Sequence, residues 1–333
     1  MPENNHNEHA YDPAVQSEDI AFKTSELVNC LSCGRANPPN RPSCVYCGRE
    51  LETSEISTVK LSLREPEDWE RGWNVIVLPN PNDPGPNIAV LSSVVGTDAD
   101  RLNALLGYGR PVPVTRLAVR AEAQAVIKRL TALGMDCQIV VDTELQPHTL
   151  PIRLRRIEIA DDHLLLHFFN THENERVDRK DLALLVTGTI RTIHTDSLER
   201  KRRRGKESKV LDETTTGSDE AVLDIYSRQD SRGWRVQLAG FDFSCLGEDK
   251  GVIAGENLRR LVTILKEYAP AARVVTDYSA LSKALDAVWP PSSRKDPQGL
   301  RRAGFGKVEF GSVASTSNLV QFNRYSRLQW HLL

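Results

Sequence analysis

Four of the chain's six cysteines fall within eighteen residues, as Cys30-Leu-Ser-Cys33-Gly34-Arg35 and Cys44-Val-Tyr-Cys47-Gly48-Arg49. The two copies of one short motif give the spacing Cys-x2-Cys-x10-Cys-x2-Cys. Two residues between cysteines let a tight turn aim both sulfurs at one point, and the glycine that follows accepts the positive φ such a turn needs. Two of these turns facing each other supply four thiolates in a tetrahedron, the donor set of a structural Zn²⁺. Cys30, Cys33, Cys44 and Cys47 are therefore the expected ligands of one zinc ion. With all four positions filled by protein, the metal is expected to be structural and not catalytic. The loop Arg35 to Ser43, with Asn37-Pro38-Pro39 and Arg41-Pro42, provides turns in place of core. So short a module buries too little apolar surface to fold alone, and metal binding supplies most of its folding free energy.

Other uses of these cysteines fit less well. A thioredoxin-like redox pair occurs once, in a βαβ setting, and a disulfide framework spreads its cysteines through a small secreted fold. A paired cluster favours a reduced compartment. Cys137 and Cys245 stand alone among apolar or small residues and are expected to act as small buried hydrophobes. No run of about 18 apolar residues is present, and the polar start MPENNHNEHAYDP lacks a signal-peptide core. These features predict a cytoplasmic protein without a membrane span. Lys plus Arg is 43 against 45 for Asp plus Glu, so net charge selects no partner.

A length of 333 residues suggests roughly two or three folded units, each able to bury a core. Residues 1–27 are polar and are expected to be disordered, the cysteine module spans 28–51, and 52–70 reads as a linker. A small α+β unit follows over 71–145. Trp73 to Leu78 reads as a strand and Ile88 to Val95 as a short helix. A second helix is capped by Thr97, and a third begins near Leu117 and ends at Gly134. Cys137 to Val141 forms a closing strand. Residues 150–290 are expected to form a larger antiparallel β domain. Its strands lie at Ile152 to Ile159, His163 to Phe169, Leu182 to Ile193, Ala221 to Tyr226 and Trp234 to Phe243. Two C-terminal helices, around Leu258 to Tyr268 and Leu281 to Val288, complete it. Residues 291–317 read as a flexible spacer and 318–333 as an amphipathic C-terminal peptide. The fold class is thus α+β, in several domains.

Four resemblances accompany these readings. The cysteine module resembles the zinc ribbons that head many bacterial multidomain proteins. Its Cys-x2-Cys-x3-Asn-x6-Cys-x2-Cys spacing is also similar to the Ran-binding-protein type zinc finger, some members of which bind single-stranded RNA. That family carries a tryptophan two residues before the first cysteine; Val28 stands there in this chain and offers no platform for a stacked base. The stretches Trp73-Asn-Val-Ile-Val, Pro86-Asn-Ile-Ala-Val-Leu and Arg120 to Val140 resemble the C-terminal domain of the ribosomal stalk protein, whose fold the adaptor of the Clp protease shares. The stalk domain meets translation GTPases through lysines and glycines; Ser92 to Arg101 here is acidic and lacks the lysines. About seven strands followed by a helix is similar in order to pleckstrin-homology-like domains.

Few other sites stand out. His163 and His167 lie four apart, about 13 Å along a strand, too far to share an ion. Arg200, Lys201, Arg202, Arg203, Arg204 and Lys206 form a basic run that can meet phosphate or remain a solvated loop. Leu319, Phe322, Tyr325, Leu328 and Trp330 give the C-terminal peptide an apolar side, with Arg324 and Arg327 facing away, suited to docking on its own domain or on a partner. No P-loop, Gly-x-Ser-x-Gly elbow or His-Glu-x2-His motif is present. The expectation is a non-enzymatic zinc-binding adaptor whose partner is another protein. The alternative is a nucleic-acid or ribosome-associated binder using the zinc module and the 200–209 loop.

Overall fold

A computed structural model describes residues 22–51, 61–67, 69–79, 87–200, 209–230, 232–304 and 307–333. The expected disordered stretch 1–27 lies outside the described residues up to position 21, as does the expected linker over 52–60 and at position 68. The chain divides into two compact units, 1–62 and 63–333.

In the first unit, β1 (Val28–Asn29) pairs antiparallel with β2 (Ala36–Asn37) across the first cysteine turn. An isolated bridge between Ser43 and Glu50 does the same across the second. Among the described residues its apolar cluster is small: Cys30, Cys44 and Leu51 are buried, with Val28 packed against them, and Leu61 is buried outside that cluster.

The second unit begins with a lobe of β3 (Trp73–Val77), α1 (Ile88–Val95), α2 (Ala99–Leu106), β4 (Val112–Leu117), α3 (Arg120–Ala132), β5 (Cys137–Val141) and the single turn α4 (Asp142–Leu145). Its antiparallel sheet has the order β4-β3-β5. Strand β4 occupies residues between the second and third expected helices and reaches Leu117, near which the third was expected to begin. Pro113 has no N–H to offer a ladder, but β4 is an edge strand and a register shift opposite Val75 and Ile76 absorbs it. Val112, Val114 and Leu117 can then enter the core. The cap of α2 is Asp98, not Thr97: the Asp98 carboxylate accepts from the amides of Asp100 and Arg101, while the Thr97 hydroxyl donates to Val114.

The rest is a nine-stranded sheet with helices against it. Strands β6 (Ile152–Ile159), β7 (His163–Phe168) and β8 (Asn174–Asp178) lead into a long hairpin, β9 (Leu182–Arg200) and β10 (Lys209–Ser227). There follow β11 (Trp234–Gln237), α5 (Ala254–Tyr268), β12 (Arg273–Val275), α6 (Tyr278–Leu285), β13 (Ser292–Gly304), β14 (Lys307–Ser317) and α7 (Leu319–His331). The order is β13-β14-β9-β10-β11-β6-β7-β8, with β12 also beside β9. Two pairings, β11 with β6 and β12 with β9, are parallel, which departs from the expected antiparallel domain and from a simple run of strands closed by one helix. The fold class is α+β.

The stretch 291–317 is not the expected flexible spacer. It forms the hairpin β13–β14, and β14 adds to the outer half of β9 from Thr192 to Arg200. Its polar, Ser-rich residues occupy strands because backbone pairing with β9 and side-chain contacts such as Ser197 to Ser312 (2.8 Å) hold them there.

The small lobe and the β-rich lobe also do not fold separately. Ile76, Leu105, Val112, Val140 and Leu145 share one apolar cluster with Leu184, Val186, Trp289, Phe322, Tyr325 and Leu328. Helix α7 lies in the middle of it. Gly188 on β9 makes room for that helix, since a Cβ there would sit 2.8 Å from the Tyr278 ring and closer still to Phe322. Because α7 is covered nearly all round, its polar residues are buried too. Arg324 and Arg327, expected to face solvent, are 8% and 2% exposed. Arg327 donates to Thr149 O (2.9 Å) and Gln146 Oε1 (3.2 Å), and Arg324 faces Asp142 at 3.7 Å. Among the described residues no helix is long and apolar enough to cross a membrane.

Candidate metal centre

Each cysteine turn is built in the same way. In the first, the amide of Cys30 donates to Arg35 O (3.0 Å) and that of Gly34 to Cys30 O (2.8 Å). In the second, Cys44 donates to Arg49 O (2.7 Å) and Gly48 to Cys44 O (2.9 Å). Gly34 and Gly48 take φ of 71° and 73°, the left-handed conformation that the sequence pattern requires of them. Asn37, fully buried, ties the turns together: its Nδ2 donates to Arg35 O (2.8 Å) and its Oδ1 accepts from the amide of Val45 (2.9 Å).

This frame gathers the four sulfurs within 4.8 Å of one another. Cys30 Sγ lies 3.6 Å from Cys47 Sγ, and Cys33 Sγ 3.6 Å from Cys44 Sγ. A disulfide needs about 2.05 Å, so neither pair is bonded. A tetrahedral site with metal–sulfur bonds of about 2.3 Å has edges of about 3.8 Å, close to these separations. The cluster is one that can hold a single metal ion, with no protein-free position for chemistry at the metal. Its thiols are strongly unequal without a cation. For Cys44, burial favours the thiol, but the amides of Tyr46 and Cys47 outweigh it and bring the pKa down to about 6. For Cys33, the Arg35 amide favours the thiolate, but desolvation and the neighbouring sulfurs push it up to about 11. A bound cation removes that conflict, because it favours the thiolate at all four positions.

Outside the cluster, the residues singled out in the sequence have other roles. Arg200 pairs with Glu309 at 2.6 Å, across β9 and β14. Lys201, Arg202, Arg203, Arg204 and Lys206 lie outside the described residues. Phe322, Tyr325 and Leu328 are buried in the shared core, with Leu319 and Trp330 partly covered beside it. His163 pairs with Asp162 and His167 with Glu158, and the two do not share a site. Cys137 and Cys245 are half-buried, less covered than expected. Burial pushes the Cys137 thiol up to about 12, and Cys245 also upward, so both are poor nucleophiles.

Sequence reading missed two buried polar centres that fix α7. Arg235 donates to both oxygens of Asp224 (2.6 and 2.8 Å) and to Asn323 (2.8 Å), while Ser326 donates to Asp224 (2.7 Å). Asp142 accepts from Arg116 (2.6 Å), Asn74 (3.0 Å) and the Gly72 amide (2.9 Å), and Asn74 in turn accepts from the Trp289 indole (2.7 Å). A charged residue inside an apolar run, as in Val222-Leu-Asp224-Ile-Tyr226, was the available signal.

The chain matches no known family model, no curated protein and no solved structure.

Proposed function

We propose that the chain is a non-enzymatic adaptor whose N-terminal module, a zinc ribbon held by one structural Zn²⁺ on Cys30, Cys33, Cys44 and Cys47, binds another protein. The observation that carries this reading is the display of apolar side chains on the two cysteine turns. Leu31 is 85% exposed, Val45 55% and Tyr46 56%, on a module whose apolar cluster among the described residues is Cys30, Cys44, Leu51 and Val28. Among the described residues Leu31 and Val45 join no apolar cluster of their own unit, and Tyr46 meets only the Arg35 guanidinium among ring contacts; apolar groups displayed in this way on a metal-rigidified frame are suited to burial against a partner. The larger unit then serves as the body to which this module is attached, and the resemblance of 73–142 to the ribosomal stalk domain and Clp adaptor favours a binding scaffold over an enzyme. A cytoplasmic setting accords with reduced, metal-binding thiols.

A second reading, binding of nucleic acid, is favoured by one feature. The guanidinium of Arg35 stacks over the Tyr46 ring at 4.7 Å, an arrangement that can extend to a base. Affinity capture with the full chain, a Leu31→Ser/Tyr46→Ser variant and metal-stripped protein separates the two. Protein binding predicts a partner retained by the native chain at raised salt and lost from both altered forms. Recovery of RNA or DNA that is released steeply by salt favours the second reading. Capture unchanged by the double substitution contradicts the first.

A further inference from the structure

Where β6 begins, beside β11 and the first residue of α7, the second unit has a cleft of about 460 Å³. Its polar lining includes three arginines, Arg153, Arg232 and Arg235, and its apolar wall includes Ile152, Phe168 and Leu319. The parallel register pairs Trp234 with Ile152 and Arg235 with Arg153, so two of the guanidiniums extend from neighbouring positions on one face of the sheet.

The charges of this cleft are not balanced. Arg235 is matched by Asp224 behind it. Arg153 stacks on Phe169 at 3.6 Å and donates Nη2 to the carbonyl of Ala239, but its Nε is buried with no acceptor. Neither Arg153 nor Arg232 has a carboxylate within ion-pair distance among the described residues. The one carboxylate in the lining, Glu173, is exposed and bound to the Thr171 hydroxyl (3.3 Å). Glu220, nearby, is engaged with Gln237 Nε2 (3.4 Å) and the amide of Ala239 (3.5 Å). Two uncompensated guanidiniums beside an apolar wall suit a ligand with one anionic group on an apolar body.

We propose that this cleft binds a small organic anion, a phosphate or carboxylate attached to an aromatic or aliphatic group, with Arg153 and Arg232 holding the anion and Ile152, Phe168 and Leu319 covering the apolar part. The site is separate from the metal centre and does not depend on the adaptor reading.

Isothermal titration of the full chain with phenyl phosphate, inorganic phosphate, benzoate and phenol tests it. Saturable binding of phenyl phosphate or benzoate, tighter than that of inorganic phosphate or phenol, is expected, and whichever of the two binds better identifies the anionic group. Arg153→Gln and Arg232→Gln are each expected to weaken binding about tenfold. Arg232 is exposed, so its variant keeps the test readable should Arg153→Gln disturb the fold. Asn170→Trp, at the exposed mouth, should block the aromatic probes without changing any charge. Absence of saturable heat from both aromatic anions at millimolar concentration overturns the proposal. Unchanged affinity in both Arg232→Gln and Asn170→Trp does so equally.

Discussion

Replacing Asp142 by asparagine removes the charge that joins the small lobe to the C-terminal helix. The Asp142 carboxylate faces Arg116 at 2.6 Å and Arg324 at 3.7 Å, with the side chains of all three about nine-tenths covered. Burial alone would raise its pKa, but the Arg116 hydrogen bond and the Arg324 charge outweigh that and hold it below the usual carboxylate range. Breaking a buried pair by removing one partner costs about 3 kcal/mol or more, because the buried Arg116 guanidinium loses the carboxylate it faces. For a unit of this size that is a fall in Tm of roughly 6 to 12 °C.

The acid dependence follows from the same pairing. A carboxylate whose folded pKa is depressed contributes its full stabilisation above its unfolded value of about 3.9, and loses it as pH falls through the folded value. The native chain and Asp142→Asn should therefore differ most at neutral pH and converge in acid below about pH 4. All five tryptophans lie in the 63–333 unit, so urea titration followed by tryptophan fluorescence reads that unit alone. A loss under about 1 kcal/mol at neutral pH refutes the assignment of Asp142 as a buried electrostatic anchor. So does a larger loss that persists undiminished in acid.

Two further substitutions test the packing on either side of the chain. Asn37→Ala removes the side chain that joins the two cysteine turns and leaves the Val45 amide without its acceptor; metal affinity, read by chelator competition, should drop about tenfold. Gly188→Ala forces the Phe322 and Tyr278 rings out of place and should cost about 2 kcal/mol in the urea titration, where an ordinary surface strand position would show a few tenths.

The cysteine cluster was legible because its chemistry is local: two turns, each fixed by a cysteine spacing and a glycine, need only face each other. The helices were found where one face is apolar, as with Leu258, Leu261 and Leu265 on α5, all buried. What failed was the inference that polar means exposed. Helix α7 carries Gln321, Asn323, Arg324, Ser326 and Arg327 in the interior, because each meets a partner on another element, such as Asn323 on Pro147 O at 2.8 Å. No periodicity reveals such a partner, which can lie far away in sequence. The outer hairpin β13–β14 was missed for a related reason. Its Ser, Arg and Gly residues have weak strand preference, and its place is set by the unpaired edge that the long β9 presents. The boundary near residue 150 looked like a domain border because strands replace helices there, yet the lobes on either side share one core around Trp289 and Phe322.

The most direct test of the metal centre is elemental analysis of the purified full chain combined with native thiol alkylation. One zinc ion per chain, with Cys30, Cys33, Cys44 and Cys47 protected until a chelator is added, is the expected result. Metal-free protein whose four clustered thiols all alkylate under native conditions would contradict it.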